Sequence, residues 1–193
     1  MVAAHSPRPL DLGTSFDELL GAARQGSPAA FDTLYRSLAG RVCGYLRMHG
    51  APEPEDLTSE LFLRVFDRLE SFVGDETQFR AWVFTIAHRL LIDDRRRRGC
   101  RPQTTHFAET SESTLVGGNA EHEALGSLDR QAVAETLASL PKDQRDVLML
   151  RVLGDLSIDE VARALDKRPG AVKQLQRRGI ARLRRHLNQG TTP

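Results

Sequence analysis

Apolar residues recur every three or four positions along most of this chain, a spacing that predicts amphipathic helices. Over the first hundred residues the pattern predicts helices at residues 16–25, 28–46, 55–72 and 77–98. Ser27 is a natural cap for the second helix, and Pro28 suits its first turn. Nothing in this part alternates as a strand would, so we expect a helical bundle.

The apolar stripes of these helices give the expected core of the bundle. The stripe positions are Phe16, Leu19, Leu20, Ala23, Phe31, Leu34, Tyr35, Leu38, Val42, Tyr45, Leu46, Leu57, Leu61, Phe62, Val65, Phe66, Leu69, Phe79, Trp82, Val83, Ile86 and Leu90. Trp82 could instead stack on a base, but its spacing with Phe79 and Ile86 assigns it to the core.

Residues 101–127 interrupt the helical pattern. They are polar and acidic, contain Thr-Thr, Ser-Glu-Ser and Gly-Gly, and show little periodicity, which is typical of a linker. A compact domain seldom contains so long a structureless loop. We therefore expect an all-α protein with two helical domains, residues 16–100 and 128–188, joined by a flexible linker at 101–127, with tails at 1–15 and 189–193.

The second predicted domain ends in two helices separated by a tight turn. Helices are predicted at residues 128–140 and 142–153, followed by a helix-turn-helix over residues 157–187. Ser157 with Glu160 forms a capping box at the start of this motif. Pro169 breaks it, because proline lacks a backbone donor and disfavours the helical region at the preceding residue. The last helix is expected to begin near Gly170.

The last helix has a buried stripe and a basic surface. Its stripe residues are Val172, Leu175, Gly179, Leu183 and Leu187. Between Arg163 and Arg185 there are nine Lys or Arg and one acidic residue, although the whole chain has a net charge of only +1. Such focused charge indicates a phosphate-backbone ligand, and a helix of this kind enters the DNA major groove. The alternative is a helical hairpin with a solvated basic face.

Cysteine use and hydropathy bear on the compartment and on metals. The two cysteines, Cys43 and Cys100, are too few for a disulfide framework, and with His49 and His106 they match no zinc spacing. No apolar run reaches eighteen residues, and residues 1–14 lack the apolar core of a signal peptide. We therefore expect a cytosolic (cytoplasmic) protein with no cofactor, no metal and no membrane insertion.

Four motifs, in order and with the expected spacing, resemble the extracytoplasmic-function (ECF, group IV) subfamily of RNA polymerase sigma factors. DLTSELFLRVF (residues 56–66) is similar to DLxQExFLRxW, and FRAWVFTIAHRLLIDDRRRR (79–98) to FxxWLxxIAxNxxxDxxRxxR. LASLPKDQRDVLMLR (137–151) is similar to LxxLPxxQRxVxxLR, and residues 157–183 resemble the family's helix-turn-helix. The resemblance implies two helical domains, called region two and region four.

This sequence departs from the family pattern at several positions. Ser59 replaces a frequent Gln, and Arg89 replaces a frequent Asn of region two. GAVKQLQRRG stands where GTVKSRLxRA is commoner and resembles a variant of actinobacterial members. Gly179 inside a helix costs about 1 kcal/mol relative to Ala, and close packing of one helix on another is its expected compensation.

The resemblance implies a transcription initiation factor, not an enzyme, which binds core RNA polymerase and promoter DNA. The expected polymerase-binding residues, facing a coiled coil of the largest subunit, are Asp56, Glu60 and Arg64, and the polymerase flap is a further expected contact. The residues 71–78 loop and the exposed face of the following helix should read the minus-10 element, with Arg80, Thr85, His88, Arg89, Arg95, Arg96, Arg97 and Arg98 as candidates. The minus-35 candidates are Arg168, Lys173, Gln174, Arg177, Arg178, Arg182 and Arg184. Many relatives are held inactive by an anti-sigma factor, but no residue here identifies one.

Two other classes of protein fit parts of the sequence. One is a helix-turn-helix regulator whose N-terminal bundle binds a small molecule or dimerises. The other is a helical enzyme that uses Asp56, Glu60 and His88, although no catalytic constellation accompanies them. Association with core polymerase distinguishes the sigma factor from both.

Overall fold

The computed structural model describes residues 15–99, 136–137 and 139–189, with side chains up to residue 186. Every regular element in these ranges is helical, so the all-α prediction is confirmed. In chain order the α-helices are α1 (Phe16–Arg24), α2 (Pro28–Met48), α3 (Pro54–Asp67), α4 (Glu76–Gly99), α5 (Lys142–Val152), α6 (Ile158–Ala164) and α7 (Pro169–Gln189). The predicted linker, nearly all of both predicted tails and most of the helix predicted at 128–140 lie outside the described residues; Thr136 and Leu137 are helical.

The helices α1–α4, which we call the N-terminal bundle, begin at the capping residues that the sequence offers. The Ser15 hydroxyl accepts from the Glu18 backbone N–H at 3.5 Å, and the Ser27 hydroxyl accepts from the Ala30 N–H at 3.4 Å. Pro28 occupies the first position of α2, where the N–H that it lacks would have no helical partner. The predicted start of α2 is therefore confirmed.

The prediction that the third helix continues to Phe72 is wrong. α3 ends at Asp67, a short 3-10 turn follows at Leu69–Ser71, and Phe72 is extended. Arg24 of α1 bonds to this turn, because its Nε donates to the Leu69 carbonyl at 3.3 Å and its Nη2 donates to the Phe72 carbonyl. A side chain from another helix thus satisfies carbonyl groups that would have no partner within α3.

The core of the N-terminal bundle follows the predicted stripes. Leu34, Leu38, Leu61, Val65 and Val83 are fully buried. Half-buried members of the stripes are Phe16, Phe31, Phe66 and Trp82. Tyr35 is the exception, because its side chain is 37% exposed and packs edge-on against Phe62 at the rim, with ring centroids 4.8 Å apart.

The helices α5–α7, which we call the C-terminal bundle, contain the predicted helix-turn-helix. The Ser157 hydroxyl accepts from the Glu160 N–H at 3.2 Å, while the Ser157 N–H donates to the Glu160 carboxylate at 2.6 Å, which confirms the capping box. Asp166 has a φ of 52° in the turn, and α7 begins at Pro169. Val172 and Gly179 are buried, and Leu175 and Leu183 are half-buried, as the predicted stripe requires.

The two bundles pack against each other and share one apolar core. α4 contributes to both sides of this core, because Phe84 and Ala87 are as deeply buried as Phe79 and Val83. Gly154, after α5, lies so near that a Cβ built on it would stand 3.2 Å from the Phe84 ring. The sequence predicted one buried stripe on α4, but a helix with apolar residues on several faces is buried on several faces.

Candidate nucleic-acid and polymerase interfaces

The surface of α7 carries the residues predicted to contact the minus-35 element, and all seven are exposed. They are Arg168, Lys173, Gln174, Arg177, Arg178, Arg182 and Arg184. None of them forms an ion pair with another residue in the described part of the chain. By contrast Lys167, in the turn, is bonded to Asp143 of α5 at 3.0 Å. The side chains of the seven candidate residues therefore face solvent, while Val172 and Gly179 on the opposite side of α7 are buried.

The outer face of α3 carries the residues predicted to bind polymerase. Asp56 is exposed, and Arg64 pairs with Glu60 one turn earlier on the same helix. Leu63 lies between these charged side chains and is 67% exposed, although it is apolar. Positions 56, 60, 63 and 64 share one helix face. Sequence reasoning missed Leu63, although its position out of phase with the buried stripe could have revealed it.

Ser59, which stands at the frequent Gln of the family pattern, is exposed on α3. Its hydroxyl donates to the carbonyl of Glu55 at 3.1 Å, on its own helix. The side chain is therefore short and bonded locally, and it extends little from the helix surface.

The five candidate arginines in the second half of α4 differ in exposure and in their bonds. Arg89, Arg96, Arg97 and Arg98 are exposed. Arg98 pairs with Asp94, and Arg95 is half-buried and donates to the carbonyl of His49. Thr85 is half-buried and its hydroxyl donates to the Ala81 carbonyl at 2.7 Å.

The expectation that Arg80 and His88 lie on an exposed face of α4 is wrong for this arrangement. Arg80 is fully buried, with Nη1 3.9 Å from carboxylate oxygens of Glu76 and of Asp155. His88 is 5% exposed. The physical reason is the C-terminal bundle, which packs on this side of α4 and brings Asp155 to Arg80.

His88 is held as a neutral imidazole. Burial, which disfavours a charged ring, lowers its pKa to about 4, even though the charge of Asp146 opposes this shift. Burial also raises the pKa of Tyr45 well above its usual value, so the phenol stays protonated. The Tyr45 hydroxyl and His88 Nδ1 therefore share a hydrogen bond between two neutral groups, 2.8 Å apart.

A second buried polar pair joins the two bundles, and sequence reasoning missed it. His49 Nε2 donates to Asp146 Oδ1 at 2.9 Å, with both side chains almost fully buried. His49 Nδ1 lies 2.8 Å from the Tyr45 carbonyl, and Lys142 donates to Asp146 Oδ2 at 2.6 Å. Burial alone would raise the pKa of Asp146, but the bonds from His49 and Lys142 outweigh it and lower the pKa to about 2. The pair is therefore a buried, charge-assisted bridge between the bundles.

An open crevice of about 360 Å³ lies beside α4 where the bundles meet. Its lining residues are Ser71, Phe72, Val73, Gln78, Ala81, Trp82, Thr85, Glu160 and Arg163. Val73 is 90% exposed at the tip of the loop, and Trp82 stacks on Phe72 with ring centroids 5.1 Å apart. Asp75 and Gln78 cap each other at the start of α4, with bonds of 2.8 and 2.9 Å. The predicted 71–78 loop is thus an ordered wall of the crevice.

Two family models match this chain, and each covers one bundle. The model described as Sigma-70 region 2 matches residues 34–100, and the model described as Sigma-70, region 4 matches residues 130–183. The ECF RNA polymerase sigma factor ShbA of Streptomyces griseus is 33% identical over 67% of this chain and 69% of its own length. The ECF RNA polymerase sigma-E factor of Escherichia coli is 30% identical over 80% of this chain and 85% of its own. This chain belongs to the ECF family of RNA polymerase sigma factors.

A third relative of this ECF sigma factor also comes from a Streptomyces species. The ECF RNA polymerase sigma factor BldN of Streptomyces coelicolor is 35% identical over 88% of this chain. The match spans 65% of the length of BldN, so the chain covers slightly less than two thirds of that relative.

Solved structures show the same fold. CnrH, solved in complex with the cytosolic domain of CnrY, matches this ECF sigma factor with a TM-score of 0.65 at 23% identity, over 89% of this chain and 96% of CnrH. The sigma factor RpoE of Bartonella quintana, solved with the anti-sigma factor NepR, matches with a TM-score of 0.61 at 19% identity, over 82% of this chain and 96% of RpoE. We therefore call the N-terminal bundle region two and the C-terminal bundle region four. Among the described helices of this sigma factor, none combines the length and apolarity needed to span a bilayer.

Proposed function

We propose that this ECF sigma factor binds core RNA polymerase in the cytoplasm, directs it to promoters by reading minus-35 and minus-10 elements, and assists promoter melting. One observation carries the proposal: seven polar and basic side chains on and beside α7 are all exposed on a helix-turn-helix whose other face is packed and capped. A basic helix presented in this way fits the major groove of duplex DNA.

Region four supplies the minus-35 contacts in this proposal. The N-terminal part of α7 lies deepest in the groove, so Lys173, Gln174, Arg177 and Arg178 reach base edges or the nearest phosphates. Arg168, Arg182 and Arg184 then contact phosphates, which position the helix without reading sequence.

Region two supplies the polymerase contact. The α3 face with Asp56, Glu60 and Arg64 docks on a coiled coil of the largest polymerase subunit, where complementary charges favour specificity and association rate. Leu63, exposed among these charges, adds an apolar centre of the kind that contributes much of an interface's binding energy. Region four makes a further contact with the polymerase flap.

The minus-10 contacts belong to α4 and the loop before it. Arg89 and Arg95 to Arg98 lie along phosphates, and Thr85 lies near the bases. Arg80 and His88, which are buried in this arrangement, reach the bases only when region four no longer covers them. Melting takes a base out of the stack, which costs a few kcal/mol and is offset by stacking and polar contacts in a pocket. The crevice beside Trp82 and Val73 offers such surfaces.

An anti-sigma factor is a further proposed partner. Bartonella RpoE, which shares this fold, was solved in complex with the anti-sigma factor NepR.

The test is reconstitution with core polymerase. Full-length protein is mixed with purified core enzyme, the complex is isolated by size exclusion, and the RNAs it starts on genomic DNA are sequenced. We expect co-elution and a set of start sites absent with core enzyme alone. Binding to duplex DNA without any association with core enzyme would instead identify an independent helix-turn-helix regulator and contradict the proposal.

A further inference from the structure

The face that region four covers on region two is the face that carries candidate minus-10 residues. Arg80 is fully buried between Glu76 of its own helix and Asp155 of region four, and His88 is 5% exposed. α6 contributes Glu160 and Arg163 to the wall of the crevice beside Trp82. DNA cannot reach Arg80 or His88 while the bundles stay in this arrangement.

The apolar part of the contact is close-packed. Phe84 of α4 is fully buried, and a Cβ on Gly154 would stand 3.2 Å from its ring. On α2, a Cβ on Gly44 would lie 3.8 Å from Leu153 Cδ1. Gly154 thus permits the close approach of the α5–α6 connection to Phe84, whereas a Cβ at position 44 would make an ordinary van der Waals contact with Leu153.

The polar part of the contact is specific. The buried bond from His49 Nε2 to Asp146 Oδ1, at 2.9 Å, is made only when the bundles meet, since the two residues lie 97 positions apart on different bundles. Arg95 of α4 donates to the His49 carbonyl, which ties the C-terminal end of α2 to α4 beside this bond. Separating the bundles lets water solvate the two atoms of this bond, whereas removing one partner in the closed state leaves the other atom buried without this bond.

We propose that the free sigma factor is self-masked: region four is latched onto region two through the His49–Asp146 pair, covers Arg80 and His88, and forms part of the wall of the crevice beside Trp82. Region four must separate from region two before minus-10 DNA can bind. The assignment of this face to minus-10 DNA rests on the proposed function above. Closure itself rests on the contacts alone. The occupant of the region-two face is region four of the same chain.

Two matched variants test the latch in the full-length chain. Asp146→Asn weakens the interdomain bond, and Asp143→Asn, on the same helix, removes an exposed carboxylate that pairs with Lys167 inside region four. Each change removes one negative charge, so their general effect on DNA affinity is the same. Spin labels on Asp32→Cys and Val152→Cys, both at exposed positions, report the distance between bundles after Cys43 and Cys100 are replaced by serine. Trp82, the single tryptophan of the chain, reports access to the crevice through acrylamide quenching.

We expect the parent protein and Asp143→Asn to show one narrow distance distribution, and Asp146→Asn to show a longer and broader one. In Asp146→Asn the quenching constant of Trp82 should rise at least twofold, and a mixed-sequence single-stranded 20-mer should bind at least threefold tighter than it binds Asp143→Asn. Broad distances in the parent protein, or identical results for the two variants, would overturn the latch. Separation without tighter binding of the 20-mer would overturn the masking.

Two further measurements keep the test decisive. If Asp146→Asn loses helical content by circular dichroism, His49→Gln takes its place, because it removes the same bond from the other side. Transcription by the parent protein with core polymerase is measured in parallel. If the parent protein transcribes normally but its two bundles are separated in solution, only the latch is contradicted. If the bundles are in contact but no polymerase-dependent transcription is seen, the proposed function is contradicted.

Discussion

Gly179 of α7 lies directly against Leu148 of α5, so that a Cβ built on the glycine would stand 2.8 Å from the Leu148 Cδ1. Real Cβ atoms essentially never come so close, and both residues are buried. The expected compensation for a glycine inside a helix is therefore present, because its missing side chain lets α7 approach α5.

We predict that Gly179→Ala lowers the free energy of unfolding by about 1 kcal/mol, because overpacking outweighs the gain in helix propensity. Gly40→Ala is the matched control, since Gly40 is exposed within α2 and a Cβ there meets nothing within 4 Å. That variant should gain about 0.5–1 kcal/mol. Urea denaturation of both variants measures the difference. Equal increases in the free energy of unfolding for the two variants would mean that the Leu148 side chain moves to make room for the added methyl group.

The sequence predicts what depends on local spacing and fails where a distant residue intervenes. The Ser157 capping box and the α7 stripe are local, and both were correct. Arg24 bonds to the turn after α3, and Asp155 lies beside the buried Arg80. Both partners come from other elements, and no periodicity within a helix can indicate them.

We predict that Arg24→Gln loosens the loop between α3 and α4. Its guanidinium donates to the carbonyls of Leu69 and Phe72, and losing these bonds should cost about 1–3 kcal/mol. Hydrogen exchange of residues 69–75 should accelerate, measured by mass spectrometry. Arg36→Gln is the control, because Arg36 pairs only with the exposed Asp32 on its own helix. Similar exchange in the two variants would show that the Arg24 bonds do not stabilise this loop.

The pKa of His88 predicts an acid-sensitive fold. The ring has a pKa of about 4 in the folded chain, whereas an unperturbed histidine has a pKa of 6.5, so the folded state resists a proton that the unfolded state accepts. Stability should therefore fall as the pH drops below 6.5, by about 2 kcal/mol at pH 5, and the loss should level off below pH 4. The ionisable groups that act on this ring or on its neighbours are Tyr45, His49, Arg95, Lys142 and Asp146.

Asp146 acts in a separate and lower pH range. Its pKa is lowered from 3.8 to about 2, so its contribution is complete above pH 3.8 and is lost as the pH falls toward 2. Urea denaturation between pH 7 and pH 2 measures both effects. His88→Gln should flatten the curve between pH 6.5 and 4, and an unchanged slope in that variant would assign the acid sensitivity to another group.

We predict that Leu63→Asp weakens binding to core polymerase at least tenfold and changes the free energy of unfolding by no more than about 0.5 kcal/mol. The side chain is 67% exposed, so little packing is lost, while a carboxylate at the centre of the proposed interface is left desolvated. Ala29→Asp, at an exposed position of α2, is the control. Fluorescence anisotropy of the labelled chain titrated with core enzyme gives both affinities. Equal affinities for the two variants would place the interface elsewhere.

We predict that Arg177→Ala weakens binding of region four to minus-35 duplex by about 1–3 kcal/mol, which is roughly 5-fold to 150-fold. The side chain is exposed on the basic face of α7, one turn beyond Lys173. If Arg177 reads a base edge, the variant should relax preference at one position of the site; if it contacts a phosphate, all sequences should weaken alike and the salt slope should fall by about one. Footprinting titrations of the holoenzyme at several salt concentrations separate these cases. Arg36→Ala removes an equal charge from α2 and should shift neither affinity nor slope, and a loss of the same size there would show that overall charge, not the α7 surface, holds the DNA.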